Sequence, residues 1–261
     1  MQGSTMNKPA LDKRDWIAGL EKGLAILEAF DDQHARMTPT QAAARTGMTR
    51  TAARRYLLTL AHLGYVQTDG KLFNLTPRVL RVGWSYFDSA RLPRIVQPYL
   101  QQLSATIHES VYVSVLDEWD LVIIARNGST RVMTTGFVLG ARVPAALMSG
   151  GLVMLAYKPD EDAVRQWLDA TDFKPFTPLT ITNKEKLHEK IRQARTDGFV
   201  AIEQQLQVGV RGVAVPIKNR HGQVVAALSV NMPIGKESHD AALARVLQPL
   251  QETALAMLNV I

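Results

Sequence analysis

The sequence predicts two domains of different class: a small helical one closed by a β-hairpin, and a larger α+β one, joined by a helix. Three observations carry this reading. The chain has 261 residues, 46% of them apolar, enough to give two domains a core each. Up to residue 90, apolar residues recur at helical spacing and give way only once, at YVQTDGKLFNL, to β-prone runs. From residue 91 onward, strand-like runs flank short polar turns and alternate with helical patterns.

The elements follow in order. Residues 1–15 read as a disordered N-terminal extension. From Ile17 to Phe30, Leu20, Leu24 and Leu27 mark an amphipathic helix. A second start is strongly written: Thr38 caps, Pro39 suits the first helical position, and Gln41 completes a capping box. Gly47 ends this short helix. Thr49 caps a third that runs to about Leu63, where Gly64 stops it. A short helix, a tight glycine turn and a longer helix form a helix-turn-helix. Asp69-Gly70 then signals a two-residue hairpin, a wing directly behind the third helix. Thr76-Pro77 repeats the cap-plus-proline start, and Val79, Leu80, Val82, Trp84 and Phe87 lie along a linker helix to about Ser89. The predicted divisions are therefore 16–75 for the winged helix-turn-helix, 76–90 for the linker and 91–261 for the larger domain. In the latter, strands are expected at 111–116, 121–126, 211–217 and 223–230, with helices near 97–107, 145–156, 160–168, 184–196 and 240–258. Adjacent strands joined by short turns imply an antiparallel sheet and α+β layering.

Charge placement narrows the function. Residues 45–81 carry seven cations (Arg45, Arg50, Arg54, Arg55, Lys71, Arg78, Arg81) against the single acid Asp69, a polyanion-binding footprint. At 100° per residue, Ala53, Tyr56, Leu57, Leu60 and Leu63 fall on one side of the third helix; Arg50, Thr51, Arg54 and Arg55 fall on the other, joined by Leu58. Cations and a hydroxyl on the N-terminal half of such a helix are what major-groove entry requires, with Lys71 at the wing tip reaching phosphate. Thr38 and Thr49, at the two helix starts, complete the candidate DNA-binding set.

Several classes are excluded or disfavoured. Zero cysteines rule out disulfides and thiolate metal sites. No apolar run approaches a membrane span, so a soluble, cytoplasmic protein without membrane contact is expected. The six histidines (His34, His62, His108, His188, His221, His239) show no HxxxH spacing, and no GxSxG, GxxxxGK[ST] or GxGxxG pattern occurs. Neither an enzyme nor a cofactor or metal is expected. Two alternatives stay open: an oligomeric DNA-binding protein without a small-molecule effector, and a hydrolase fused to a DNA-binding domain.

The stretch GLEKGLAILEAF…MTPTQAAARTGMTRTAARRYLLTLAHLGYVQTDGKLFNLTPRVLRVG resembles the N-terminal domain of the IclR family of bacterial regulators, and the rest of the chain continues the match. Within the family, TRTAARRYLLTLAHLGYV with DGKLFNLTPRVL resembles the subgroup that controls protocatechuate, 4-hydroxybenzoate and β-ketoadipate pathways. The resemblance implies a GAF-like (profilin-like) C-terminal domain and a DNA-binding regulator of aromatic catabolism. Its partners would be a pseudo-palindromic operator in double-stranded DNA, a small aromatic or dicarboxylic acid, and further copies of the chain, as a homodimer or a dimer of dimers.

In GARVPAALMSGGLVMLA, small residues open an apolar helix whose N-terminal N–H groups suit a carboxylate; the same residues also suit close helix packing. The resemblance makes this segment part of an effector pocket with Val132, Thr135, Ser149, Gly150, Ile202 or Glu203, Val210, Gly212, Ser229 and Asn231. Ser229 and Asn231, two apart, share a sheet face. Where many relatives carry Lys or Arg, a polar residue and Asp, this chain has Leu152, Met148 and Ile202, which makes the pocket more apolar. Arg211 also matches a family position; an ion pair with Glu203 and a ligand contact are both open for it.

Overall fold

A computed structural model of the chain describes residues 11, 12, 14–128 and 138–261. These fall into two compact units, one ending at Ser89 and the other beginning at Ala90. Most of the predicted extension, residues 1–10 and 13, lies outside the described residues.

The first unit contains α1 (Ala18–Glu28), α2 (Pro39–Thr46), α3 (Arg50–His62), β1 (Val66–Thr68), β2 (Phe73–Leu75) and α4 (Leu80–Ser89), the last entered through a 3-10 turn at Pro77–Val79. The capping box at Thr38 forms as predicted, and Gly47 closes α2 at φ 68°, a left-handed conformation that glycine adopts without steric cost. Ile26, Met37, Ala53, Leu57, Leu60, Val66 and Phe73 close one small core between the helices and the wing. The wing differs from expectation in its loop. Thr68 pairs with Phe73, so four residues, 69–72, turn the chain instead of two. The Asp69 side chain explains this: Oδ1 accepts from the N–H groups of Lys71 and Leu72, at 3.0 and 2.8 Å, and stabilises the wider turn.

The second unit is a six-stranded antiparallel sheet in the order β5-β4-β3-β8-β7-β6 with helices on both faces, the predicted GAF-like layering. Its elements are α5 (Arg91–Ile107), β3 (Ser110–Asp117), β4 (Asp120–Asn127), β5 (Arg142–Pro144), α6 (Ser149–Ala156), α7 (Glu161–Ala170), α8 (Lys184–Asp197), β6 (Val200–Glu203), β7 (Val210–Lys218), β8 (Val224–Pro233) and α9 (His239–Met257). Alternation sorts the strands: Val111, Val113, Val213, Val215, Leu228 and Val230 pack against α5 and α9. Ala214 and Ala227 face α6, α7 and α8.

Three expectations are corrected. The helix predicted from residue 97 starts at Arg91 and runs through Pro98, because Pro93 and Val96 are buried and packing overrides the proline break. The helix predicted over 145–156 is a 3-10 turn at Ala145–Leu147, an extended Met148, and then α6. The short strands β5 and β6 were not predicted; three or four residues give too little alternation to read.

Candidate functional site

In the first unit, α3 presents Arg50, Thr51, Arg54 and Arg55 as exposed side chains on one side, with Leu58 among them at 39% exposure. The Thr49 hydroxyl accepts from Ala52 N–H at 3.2 Å and fixes the start of this face. None of the four has a side-chain partner among the described residues, and Lys71 stands equally free at the wing tip. Arg81, exposed near the start of α4, is likewise without a side-chain partner among the described residues; the other charges of the basic stretch are engaged. Arg45 donates from Nε to the Ala29 carbonyl (2.8 Å) and from Nη2 to Asp31 (2.6 Å), tying α2 to the end of α1. Asp31 is held below the ordinary carboxylate range, chiefly by its hydrogen bond from His34. Asp69, the only acid of the basic stretch, is matched by Arg36 at 2.6 Å. Arg78 lies over the Tyr65 ring, 5.6 Å from its centroid. The cations left for a polyanion are thus those of α3 and the wing tip, with Arg81 at the start of α4. Thr38 stands apart, its hydroxyl taken up by the capping box with Gln41.

In the second unit, the start of α6 lies over the centre of the sheet. Leu147, Met148, Ser149, Ile202, Val210, Gly212 and Asn231, with the segment Gln204–Gln207, line a half-open cavity of about 20 Å³, room for one water. Beneath it the sheet is small and polar. Register sets Tyr112 opposite Ser229, Ser114 opposite Ala227, and Gly212 opposite Asn231. The Tyr112 hydroxyl donates to Asn231 Oδ1 at 3.4 Å. Burial pushes its pKa up to about 12, although Ser229, Ser149 and Asn231 act in the opposite direction. The hydroxyl oxygens of Ser114, Ser149 and Ser229 are buried without a hydrogen-bond partner of good geometry. Orphaned polar atoms are uncommon in a sheet core, and each costs about 1–3 kcal/mol.

Ser149, Val210, Gly212, Ser229 and Asn231 are therefore brought together. Gly150 and Gly151 serve packing: a Cβ at Gly150 would meet Ser229 Oγ at 2.8 Å, and one at Gly151 would collide with the Ala145 carbonyl. Of the pair at 202 and 203, Ile202 lines the cavity; Glu203 points to the opposite face and binds Arg211 and His239. Arg211 makes the ion pair instead of lining the cavity. Val132 and Thr135 lie outside the described residues. Tyr112, Ser114 and the Gln204–Gln207 segment were missed. Alternation from Val111 could have placed Tyr112 and Ser114 on one face, but not opposite Ser229.

Two family descriptions match: the IclR helix-turn-helix domain over residues 19–70, and the bacterial transcriptional regulator IclR C-terminal domain over residues 84–258. The chain belongs to the IclR family. It is a DNA-binding transcriptional regulator of the IclR type, built as the winged helix-turn-helix and GAF-like pair its sequence predicts. Over 262 residues it is 37% identical to the Pca operon regulatory protein of Acinetobacter baylyi, covering 99% of this chain and 94% of that one. It is 38% identical over 252 residues to the p-hydroxybenzoate hydroxylase transcriptional activator of the same organism, covering 95% and 93%. Among solved structures, it is similar to a double mutant of the inducer-binding domain of the PobR transcription factor from Acinetobacter, in complex with 3-hydroxybenzoic acid. Identity there is 30% and the TM-score 0.62, over 66% of this chain and 100% of that one. Among the described residues no helix is long and apolar enough to cross a membrane, and no cluster of His, Asp and Glu could hold a metal ion.

Proposed function

We propose that this IclR-type regulator controls genes for the breakdown of aromatic compounds and responds to a hydroxylated aromatic acid bound at the start of α6. The observation that carries this is the group of buried hydroxyls of Ser149, Ser229 and Ser114 around the start of α6, none with a hydrogen-bond partner of good geometry. The first N–H groups of a helix have no intrahelical acceptor and attract a carboxylate, and hydroxyls with spare donors complete such a site. The described lining residues carry no charge, which favours one carboxylate over two, because a second would be buried unpaired. The PobR inducer-binding domain in complex with 3-hydroxybenzoic acid supports the same ligand class, and the names of the curated relatives support control of aromatic breakdown. An aromatic ring exceeds about 20 Å³, so binding has to widen the site, whose described lining includes the Gln204–Gln207 segment between β6 and β7. Val132 and Thr135 belong to the same proposal, whereas Glu203 does not.

On DNA, Arg50, Thr51, Arg54 and Arg55 read the major groove, with Thr49 and Lys71 on phosphate and Thr38 at the edge of the interface. Leu80 with Trp84, and Val82 with Tyr86, stand exposed as i,i+4 pairs on two sides of α4, apolar area that supports self-association. Two copies then present two recognition helices to the halves of a pseudo-palindrome, as a dimer or a dimer of dimers. The chain acts in the cytoplasm and does not turn its ligand over. Boundaries at 75/76 and 90/91 separate its wing, linker and sensor.

A thermal-shift titration with protocatechuate, 4-hydroxybenzoate, β-ketoadipate and cis,cis-muconate tests the reading, since a ligand of the folded state raises the melting temperature. A saturable rise with a hydroxybenzoate recovered unchanged is expected. A rise with the dicarboxylates alone overturns the ligand class, and silence across the panel overturns the sensor.

A further inference from the structure

The strands that line the cavity carry a second set of contacts on their other face. Between Ile202, Val210 and Gly212, which face the cavity, alternate Glu203 and Arg211, which face α9. Arg211 is 3% exposed. Its Nε donates to Glu203 Oε1 at 2.5 Å, and its Nη1 donates to the Ser238 carbonyl at 3.1 Å. The same Glu203 oxygen lies 2.9 Å from His239 Nδ1. Ser238 caps α9 by accepting from Ala241 N–H at 3.2 Å, so the buried guanidinium holds the first turn of that helix. The preceding residue, Glu237, is bound at 2.9 Å by Arg245 from further along α9. Arg245 also donates to the Ile107 carbonyl at the end of α5 (3.2 Å) and to Glu109 (2.9 Å).

Three consecutive residues, Glu237, Ser238 and His239, are therefore fastened on one side to the cavity strands and on the other to the end of α5. Val96, Leu100 and Leu103 of α5 share one buried cluster with Val246 and Leu250 of α9. Arg211 is buried while Glu203 stays partly exposed, and taking a guanidinium out of water costs more than one such pair reliably returns, so stability is a poor reason for Arg211; holding two elements in one register is a better one.

We propose that Arg211 is a positioning residue of the regulatory response: without touching the effector, it passes a change in β6 and β7 through the 237–239 segment to α9 and α5. This rests on the effector reading above. For the contact to couple the two ends, its geometry must differ between the free and bound states, so that breaking it removes the response and leaves the binding.

The test uses the full chain and a DNA duplex enriched by that chain from a random pool, with 4-hydroxybenzoate and protocatechuate as probes. For Arg211→Met and Glu203→Gln, acid affinity is measured by calorimetry, and DNA affinity with and without saturating acid. Acid Kd is expected to stay within about threefold of the unmodified chain, while the acid-induced change in DNA affinity, of order 5–150-fold for such couplings, collapses to about twofold or less. Hydrogen exchange at residues 241–243, responsive to acid in the unmodified chain, no longer responds. A folded Arg211→Met that keeps the full change overturns the inference, as does a variant that loses acid affinity yet responds fully at saturation. If Arg211→Met does not fold, Glu203→Gln, which keeps the side-chain volume, decides alone. An unmodified chain whose DNA affinity no acid alters removes the effector reading itself, and this inference with it.

Discussion

A methyl group at Gly150 would lie 2.8 Å from Ser229 Oγ, closer than any real Cβ contact. Ser229 is on the central strand β8 and fully buried, so helix and strand have no room to part at this point. Gly150→Ala is expected to lose about 1–3 kcal/mol of stability by overpacking. Gly150→Ala combined with Ser229→Ala should recover much of it. Urea unfolding of the three variants checks this, and additive losses would contradict the contact.

Ser149→Ala, at a buried, poorly partnered serine that lines the cavity, separates stability from sensing. Its hydroxyl is buried without a good partner, so removing it should leave stability unchanged or slightly raised. Loss of the donor should weaken the acid at least tenfold, about 1.4 kcal/mol. Calorimetry with 4-hydroxybenzoate beside a melting curve shows whether the two effects part in this way.

On α3, Arg54→Ala is expected to cost about 1–3 kcal/mol on the selected duplex if Arg54 reads a guanine, and to relax specificity at one position. Lys71→Ala should weaken all sequences alike and reduce the salt slope by about one unit. Salt-titrated binding to cognate and scrambled duplexes distinguishes them. Unchanged affinity for Arg54→Ala on both would displace α3 from the groove.

Thr38→Ala removes one hydroxyl of the capping box and should destabilise the first unit by about 1 kcal/mol. Its DNA affinity, measured well below the melting temperature, should fall by less than that of Arg54→Ala, because Thr38 is already occupied by Gln41.

Two groups give opposite pH responses. Burial raises Tyr112 from 10.0 to about 12, so its contribution is complete below pH 10 and lost as pH rises toward 12. Tyr112→Phe should flatten that decline, and absorbance titration should lose its latest phenol in the variant while the Tyr86 phenol, raised by burial, remains. For Glu203, burial acts upward, but hydrogen bonds from His239 and Arg211 outweigh it and hold the carboxyl below its usual range. Its contribution is therefore present above the ordinary carboxylate pKa and lost as pH falls below it. Glu203→Gln should be less sensitive to acid than the unmodified chain.

The first unit was almost wholly legible. Thr38, Pro39, Gln41, Gly47 and Thr49 act within a few residues of themselves, and local hydrogen bonds decide where those helices begin and end. The two-residue wing turn failed on a local competitor, the Asp69 carboxylate, which bonds two N–H groups and widens the loop. Of the cations counted along the chain, Arg45 proved structural, because Asp31 and the Ala29 carbonyl reach it from the segment just after α1.

In the second unit the sequence by itself determined the long strands, the helices between them and the small-residue start of α6, since period and composition are properties of contiguous residues. Only the tertiary structure decided what faces what. Strand register set Tyr112 against Ser229, and alternation about that register sent Ile202 into the cavity and Glu203 away from it onto Arg211. Both depend on pairings between distant segments, such as Tyr112 with Asn231, 119 residues away. Those pairings are chosen by the burial of a whole sheet face at once, a cooperative outcome that no local stretch contains.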